Sequence, residues 1–596
     1  MRIIDYYNYL AIAALFAVTV ASLAIFFKNK RETKAYISDR TALILFSGIM
    51  LIAAFLRLYK LGEVPLGLQQ DEASIGYDAY TLANFGIDRN GYHFPIYPIT
   101  WGCGGGSPLL IYLNVLSVRL FGTGIVKLRL IPAILGIATV WLFYRILRLA
   151  FTSNVFRNEL SLLGAFFLAV CPWHVILSRW SLDCNIMPFN LMLSVYFFLL
   201  GARSGRTFQY LLSAASFAVC MYSYGAATIV VPVTLLLISI YSLRAKVLSL
   251  RQLIFSGVTF MVVFAPLLWF YAVNYLGLPE YVSDGFSVNR FTAARTGEAF
   301  LAFDSTLPSK LLGNLRSVAL AVSLGDDSYT MAHYLEGYAV LFEFTFPVTA
   351  AGLVVSLRDM FWKKTGDVAK GRSESMPGDR PVSMAKGRSE SVSGDIYLVT
   401  NAMMLSVTAA SLLLNLMIIP DINRMVMMFI PFIYFFVLGA GFVVSRSYKL
   451  FVSVVLILMV GAASFGKDYF TRFNDWSISI YMPGYGDAIK RAYEIAGDEI
   501  PIHSTYDGLS APFMLALYCN EYDPYRFYTT VEYKDEKAEF RIARSFGNFE
   551  FELPKDVNDP SFEGDVFVVS SADMDLFTDL ESCTVEDFGG YHVVYR

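Results

Sequence analysis

Two adjacent carboxylates, Asp71 and Glu72, stand in the stretch GEVPLGLQQDEASIGYDAY directly behind a long apolar segment. Carboxylates held at such a place can accept a proton from an attacking group. On a helix beginning at Asp71, neighbouring side chains diverge by about 100°, so the two acids have different jobs, and Asp78 lies two turns beyond Asp71 on the same face. Gly86 and the turn DRNG at 88–91 would end that helix. Asp is also a good N-cap, so residue type alone leaves cap and catalyst evenly matched at Asp71.

Two more groups of charges sit at the ends of apolar segments. Arg179 and Asp183 occur in CPWHVILSRWSLDCN, and Asp421, Asn423 and Arg424 in the short turn of IIPDINRMVMMFIP. Charges at a membrane edge are candidates for function. An arginine there can hold a phosphate and an aspartate a sugar hydroxyl, although Arg179 and Asp183 also suit a snorkelling pair that anchors a helix. Tyr222 and Tyr224, in CMYSYGAAT, stand at an outer helix end, where tyrosines are ordinary interface aromatics. Asp326 and Asp327, in SLGDDSY, read as a solvated turn.

The elements that must position these groups are membrane helices. Of 596 residues 56% are hydrophobic and only 16% charged, and the mean hydropathy is +0.51, outside the range of soluble domains. A span needs roughly 20 apolar residues, and such windows recur to about residue 466, giving roughly twelve spans: 9–27, 41–58, 127–148, 159–177, 185–202, 208–224, 226–243, 252–276, 338–357, 396–418, 425–445 and 449–466. The first connection carries Lys28, Lys30, Arg31, Lys34 and Arg40, and cations recur in alternate connections thereafter, which places them inside and the loop 60–107 outside. A second outer loop covers 277–336. The first span lacks a cleavage site and is expected to remain.

Residues 467–596 hold 25 acidic against 11 basic residues, and alternate helix-like and strand-like stretches, as in a small extracytoplasmic α/β domain. They carry neither a phosphate loop nor a nucleophile elbow. Between 359 and 395, VAKGRSESMPGD recurs as MAKGRSESVSGD; this reads as a disordered cytoplasmic loop, either a plain linker or a contact for anionic lipid. The six cysteines have no metal-ligand spacing, and Cys519 and Cys583 are equally consistent with a disulfide and with two buried thiols.

Four stretches together, GLQQDEASIGYDAYTLANFGIDRNGYHFP, PLLIYLNVLSVRLFGTGIVKLRLIPAILG, PWHVILSRWSLDCN and INRMVMMFIP, resemble in order the membrane glycosyltransferases of the C-type fold, the protein O-mannosyltransferase and lipid A aminoarabinose transferase group. The resemblance runs from about residue 60 to 445. It implies a mainly α fold, residues 1–466 forming the transmembrane glycosyltransferase part with an outer active site and 467–596 the appended α/β domain. It further implies transfer of a monosaccharide, hexosyl or pentosyl, from a polyprenyl-phosphate donor to an extracytoplasmic acceptor, with membrane lipids as surroundings and no nucleic acid. Asp71 matches the family's proposed base or acceptor-orienting residue, with Glu72 beside it, and Asp183 matches the second-loop aspartate. The family's lysine before a proline pair is missing, since this chain reads GCGGGSPLL; the phosphate is then expected to fall to Arg424 and Arg179, with Asn423, Asp78, Tyr222 and Tyr224 completing the substrate site. No cofactor is required, and a divalent cation is left open, because metal dependence varies within the superfamily. The competing expectation, a transporter or flippase of lipid-linked glycan, would show midplane charges and repeated halves; midplane charges are few apart from Glu343 near the ninth span, and no repeated halves stand out.

Overall fold

The computed structural model describes residues 3–28, 31–294, 301, 304–325, 331–362 and 384–596. Ten helices among them are long and apolar enough to cross a membrane, from Ile4–Phe27 to Tyr448–Tyr481, so the chain is a multi-pass membrane protein. Two of the roughly twelve expected spans fall short. At 159–177 the helix Arg157–Val170 stops and Pro172 opens a separate short helix, Pro172–Leu177, because a proline inside the run would remove an N–H and clash with the preceding turn. At 208–224 the helix Thr207–Cys220 has 14 residues, about 21 Å at 1.5 Å per residue against a hydrocarbon core of about 30 Å.

The helix Ile422–Val444 is the most enclosed of the ten. It crosses Phe346–Trp362 almost backbone to backbone: a Cβ added at Gly352 would lie 1.7 Å from the Phe435 carbonyl oxygen, and one at Gly439 2.0 Å from that of Val348. Small residues are what permit such approach between membrane helices. Gly439→Leu should therefore push the helices apart and lower stability by more than the about 1–3 kcal/mol typical of overpacking. Thermal unfolding of detergent-purified protein reads this, and an unchanged Tm would contradict the crossing.

The loop 277–336 is more structured than its sequence suggests. It holds the two-residue strands Tyr281–Val282 and Ser287–Val288, paired antiparallel, and the helix Leu307–Leu324. Asn314 Nδ2 donates to the carbonyls of Leu416 and Ile418, both at 2.9 Å, and so satisfies orphan acceptors at the end of the helix Met384–Met417. Asp326 and Asp327 lie outside the described residues. In the segment 359–395, residues 363–383 also lie outside them, which takes in the first copy of the repeat. The second copy, from Met384, opens the helix Met384–Met417 instead of remaining loop, since after Pro381 no proline interrupts the run into the apolar span.

Past residue 466 the helix Tyr448–Tyr481 continues unbroken, there being no helix breaker before Pro483. Beyond it a seven-stranded sheet forms in the order Glu532–Tyr533, Ala543–Phe546, Phe549–Glu550, Ile502–Ser504, Val566–Ser570, Tyr591–Tyr595, Thr584–Asp587. Only Ile502–Ser504 pairs in parallel, with both its neighbours. Cys519 and Cys583 are free thiols. This C-terminal region docks on the 60–107 loop through one shared apolar core, in which Ala73, Ile75, Tyr77 and Leu82 pack with Phe513, Met514 and Tyr518. Gly76 is required there, because a Cβ would lie 2.6 Å from the Tyr518 ring.

Candidate active site

The helix carrying the acidic pair, Gln70–Asn84, is capped by Gln69, whose side chain accepts from the Asp71 and Glu72 amides while Glu72 reaches back to the Gln69 amide. This Q-x-x-E capping box relieves Asp71 of the capping role. It also binds Glu72 into the fold. Arg129 grips Glu72 with both edges of its guanidinium, Nε to Oε1 at 2.9 Å and Nη2 to Oε2 at 2.8 Å, both side chains fully buried. The Ser181 amide donates to the same carboxylate at 2.7 Å, and Arg129 further holds the carbonyls of Pro65 and Gly67. Glu72 is thus a structural anion that ties the helix start to the 61–67 turn and to Ser181, not the catalytic partner expected from its position. Glu72→Ala should strand the Arg129 charge in the interior and cost about 3–5 kcal/mol, visible as a loss of folded protein in detergent; wild-type unfolding behaviour would refute that role.

Asp71 faces a cavity of about 690 Å³ together with Asp183, Tyr224, Asp421, Asn423 and Arg424. Four separate elements supply these side chains: the start of Gln70–Asn84, the turn Asp183–Ile186, the 221–226 connection and the start of Ile422–Val444. Burial pushes the Asp71 carboxyl up to about 6, and the nearby Asp183 and Glu72 charges push the same way, against a Gln69 amide hydrogen bond and Arg89. Such a group is half-ionised near pH 6 and mostly ionised at pH 7, yet more basic than an ordinary carboxylate, the condition that suits a proton acceptor. Asp183 is held rigidly, its Oδ2 accepting from the Ser107 amide and its Oδ1 from the Cys184 amide, each at 2.8 Å. Burial, with Asp421 and Asp183 nearby, keeps the Tyr224 phenol well above its ordinary range and therefore protonated, a hydrogen-bond donor toward the cavity. Asp421 caps the helix Ile422–Val444 by accepting from the Arg424 amide at 2.8 Å. It also pairs with Arg424 Nε at 3.0 Å, and Arg424 Nη1 donates to the Ile419 carbonyl. The guanidinium is thereby oriented at the cavity wall. Asn423 Oδ1 accepts from Cys184 Sγ at 3.3 Å, which links the two turns. Among the described residues no group of three or more His, Cys, Asp or Glu is arranged to hold a metal ion.

Three expected site residues are placed elsewhere. Asp78 receives Arg89 on both oxygens, at 2.8 and 2.9 Å, and both are buried; the pair fastens the 88–91 turn to the helix. Arg179 is fully buried and spends its donors on carbonyls, those of Leu56, Tyr59, Lys60 and Val64 at 2.8–3.1 Å. It satisfies the orphan acceptors at the end of the helix Asp39–Leu58 and is not among the residues that line the cavity of Asp71. Tyr222 plugs a break in the helix Leu250–Tyr275, where its hydroxyl donates to the Val263 carbonyl at 2.8 Å and accepts from the Leu267 amide at 3.3 Å. Those two backbone groups would pair with each other in a regular helix, and Pro266 between them disrupts the turn.

Sequence reasoning missed the far wall. Tyr506, Leu509, Ser510, Ala511, Phe540 and Ile542 of the C-terminal region line the same cavity, and no local pattern announces them. The glycine run 104–106 was visible, and its reason is close approach: Gly105, at φ +153°, lies so near Thr100 that a Cβ would sit 2.4 Å from the threonine Cβ.

Residues 106–270 match the family model of dolichyl-phosphate-mannose-protein mannosyltransferases. The match covers 165 of the 596 residues. The matched stretch includes Asp183 and Tyr224, while Asp71 and Arg424 lie on either side of it. Among solved structures the chain is similar to ArnT from Cupriavidus metallidurans in the apo state, at 14% identity over 93% of this chain and 97% of that one, TM-score 0.44. It is similar also to the Archaeoglobus fulgidus oligosaccharyltransferase in the apo form, at 14% identity over 81% and 64%, TM-score 0.45. A further match is the S. cerevisiae protein O-mannosyltransferase Pmt1–Pmt2 complex, at 19% identity over 42% and 36%, TM-score 0.30. No curated protein matches the chain by sequence.

Proposed function

We propose that this chain transfers a monosaccharide, hexosyl or pentosyl, from a polyprenyl-phosphate donor to an acceptor hydroxyl at the extracytoplasmic membrane face. The observation that carries the reading is a single cavity uniting a carboxylate poised near 6, Asp71, with one oriented arginine, Arg424. A leaving phosphate needs no proton but does need a cation, whereas the attacking hydroxyl must lose its proton. One base and one arginine meet both needs. In the step, the acceptor oxygen bonds to the anomeric carbon and its proton passes to Asp71. The bond from that carbon to the phosphate oxygen breaks, and its electron pair leaves on polyprenyl phosphate beside Arg424. Displacement from the opposite face inverts the anomeric centre. Asp183, Tyr224 and Asn423 hold sugar hydroxyls. The description of the matching family, which names a dolichyl-phosphate-linked mannose donor, supports the donor class, and the alternating cations of the connections support the outward face.

The test is transfer of radiolabelled sugar from a synthetic polyprenyl-phosphate donor in membranes containing the protein. Label moving into a lipid-free acceptor fraction supports the reading. Label that stays on the lipid but changes leaflet would support the flippase alternative and end this one.

A further inference from the structure

Behind the wall of the main cavity lies a second pocket, of about 300 Å³, at the seam between the 89–99 turn, residues 290–292 and the 528–541 segment of the C-terminal region. Neighbouring residues of the same segments line the two spaces. Tyr97, Trp101, Phe540 and Ile542 line the cavity of Asp71, and the intervening Ile99 and Arg541 line the second pocket.

The second pocket is built around Arg541, which is only 8% exposed. Its guanidinium lies 4.7 Å from the Tyr533 ring centroid, and Nη2 donates to Asn90 Oδ1 at 3.3 Å. Its buried Nε, however, has no hydrogen-bond partner. An unmade bond at a buried cationic donor is costly, and native structures rarely leave one without a reason. Arg290 stands exposed on the rim, held by the Leu278 carbonyl, and Glu536 is the facing acid. Arg89 also lines the pocket but is neutralised by Asp78. Among the other lining side chains two arginines, Arg541 and Arg290, face one glutamate, with Asp88 behind Asn90. The planar guanidinium fork matches a carboxylate. Tyr528 and Tyr533 add flat apolar faces, and Glu536 an acceptor for hydroxyls. A site of this size at the lower end of small-molecule pockets, with few polar groups on aromatic walls, takes one or two sugar rings.

We infer that this pocket binds a carboxylated saccharide, a uronic-acid-bearing unit of the acceptor. Its role as acceptor site rests on the function proposed above, but its binding is measured without transfer. The experiment is isothermal titration of the full-length protein in detergent with digalacturonic acid, its uncharged methyl ester, and inorganic phosphate. Digalacturonate is expected to bind, with the ester and phosphate each at least about tenfold weaker, the loss of one charge-assisted contact. Arg541→Gln and Arg290→Gln should each weaken digalacturonate about tenfold. Since Arg290 lies on the rim, its variant remains informative if Arg541→Gln fails to fold. Asp71→Asn should bind digalacturonate as wild type does, so a failure of transfer and a failure of this site read separately. No binding of digalacturonate, equal binding of acid and ester, phosphate binding as tightly as the acid, or unchanged affinity in Arg290→Gln would each overturn the inference.

Discussion

Asp71→Asn is expected to slow sugar transfer about 10²–10⁴-fold, the range that a positioned general base contributes. The substitution keeps the side chain's shape and its contact with Gln69 but removes the proton acceptor. Misfolding would not explain the loss. The Asp71 carboxyl is raised from 3.8 to about 6 chiefly by burial, so the folded state binds that proton more tightly than the unfolded chain. The stability this contributes is present at low pH and is lost as pH rises toward 6, which means that at pH 7 the ionised group works against folding. A neutral asparagine removes that opposition, and the variant should unfold no earlier than wild type at pH 7. The same protonation shapes the rate profile: kcat/KM should climb through about pH 6 and level off above it, and the residual activity of Asp71→Asn should lack that limb. A wild-type transfer rate in the variant, or a limb that persists in it, would remove Asp71 from the role of base.

Arg424→Gln is expected to cost at least about 10²-fold in transfer, the loss seen when one donor to developing negative charge is withdrawn from a preorganised site. Asp421 and the Ile419 carbonyl engage Arg424 Nε and Nη1, which orients the guanidinium and partly offsets its charge. The loss should therefore appear in kcat, where the phosphate charge develops, more than in KM. Arg424→Lys retains the charge but not the planar fork, and should recover only part of the rate. Removing Arg424 alone also leaves Asp421 buried and unbalanced, so the double variant Asp421→Asn/Arg424→Gln is the control for folding. It should be at least as stable as the single variant yet no more active. Transfer restored in the double variant would show that Arg424 serves only to neutralise Asp421.

The order of the membrane helices was legible because a bilayer imposes length and hydropathy on each span, and ten of the expected windows fold as helices long enough to cross. The candidate site was legible in part. Asp71, Asp183, Tyr224, Asn423 and Arg424 stand at the ends of apolar runs, where a charge or phenol is conspicuous, and they converge on one cavity. Residue type and position could not separate them from Glu72, Asp78 and Arg179, which are the same kinds of residue at the same kinds of boundary. What divides the two sets is whether the side chain lines the cavity or is turned wholly into the fold. Glu72 has Arg129, Asp78 has Arg89, and Arg179 has the carbonyls that end a helix. The partner of Glu72 stands 57 residues away, and such a distance leaves no periodic trace. The glycine run in place of a loop lysine was plain to read, but that Gly105 touches Thr100 was not.

The sequence by itself determined what local forces can determine: a multi-pass membrane protein, its helices and the boundaries at which chemistry was to be sought, and an acidic C-terminal region of mixed helix and strand. Only the tertiary structure decided which carboxylate is spent on holding the fold and which is left facing a cavity. It alone brought Tyr506, Phe540 and Ile542 to the wall of that cavity and left Arg541 with an unmade bond behind it. The reason is that buried charge is governed by whichever groups the packed chain happens to bring within about 3 Å, and that depends on contacts between segments hundreds of residues apart.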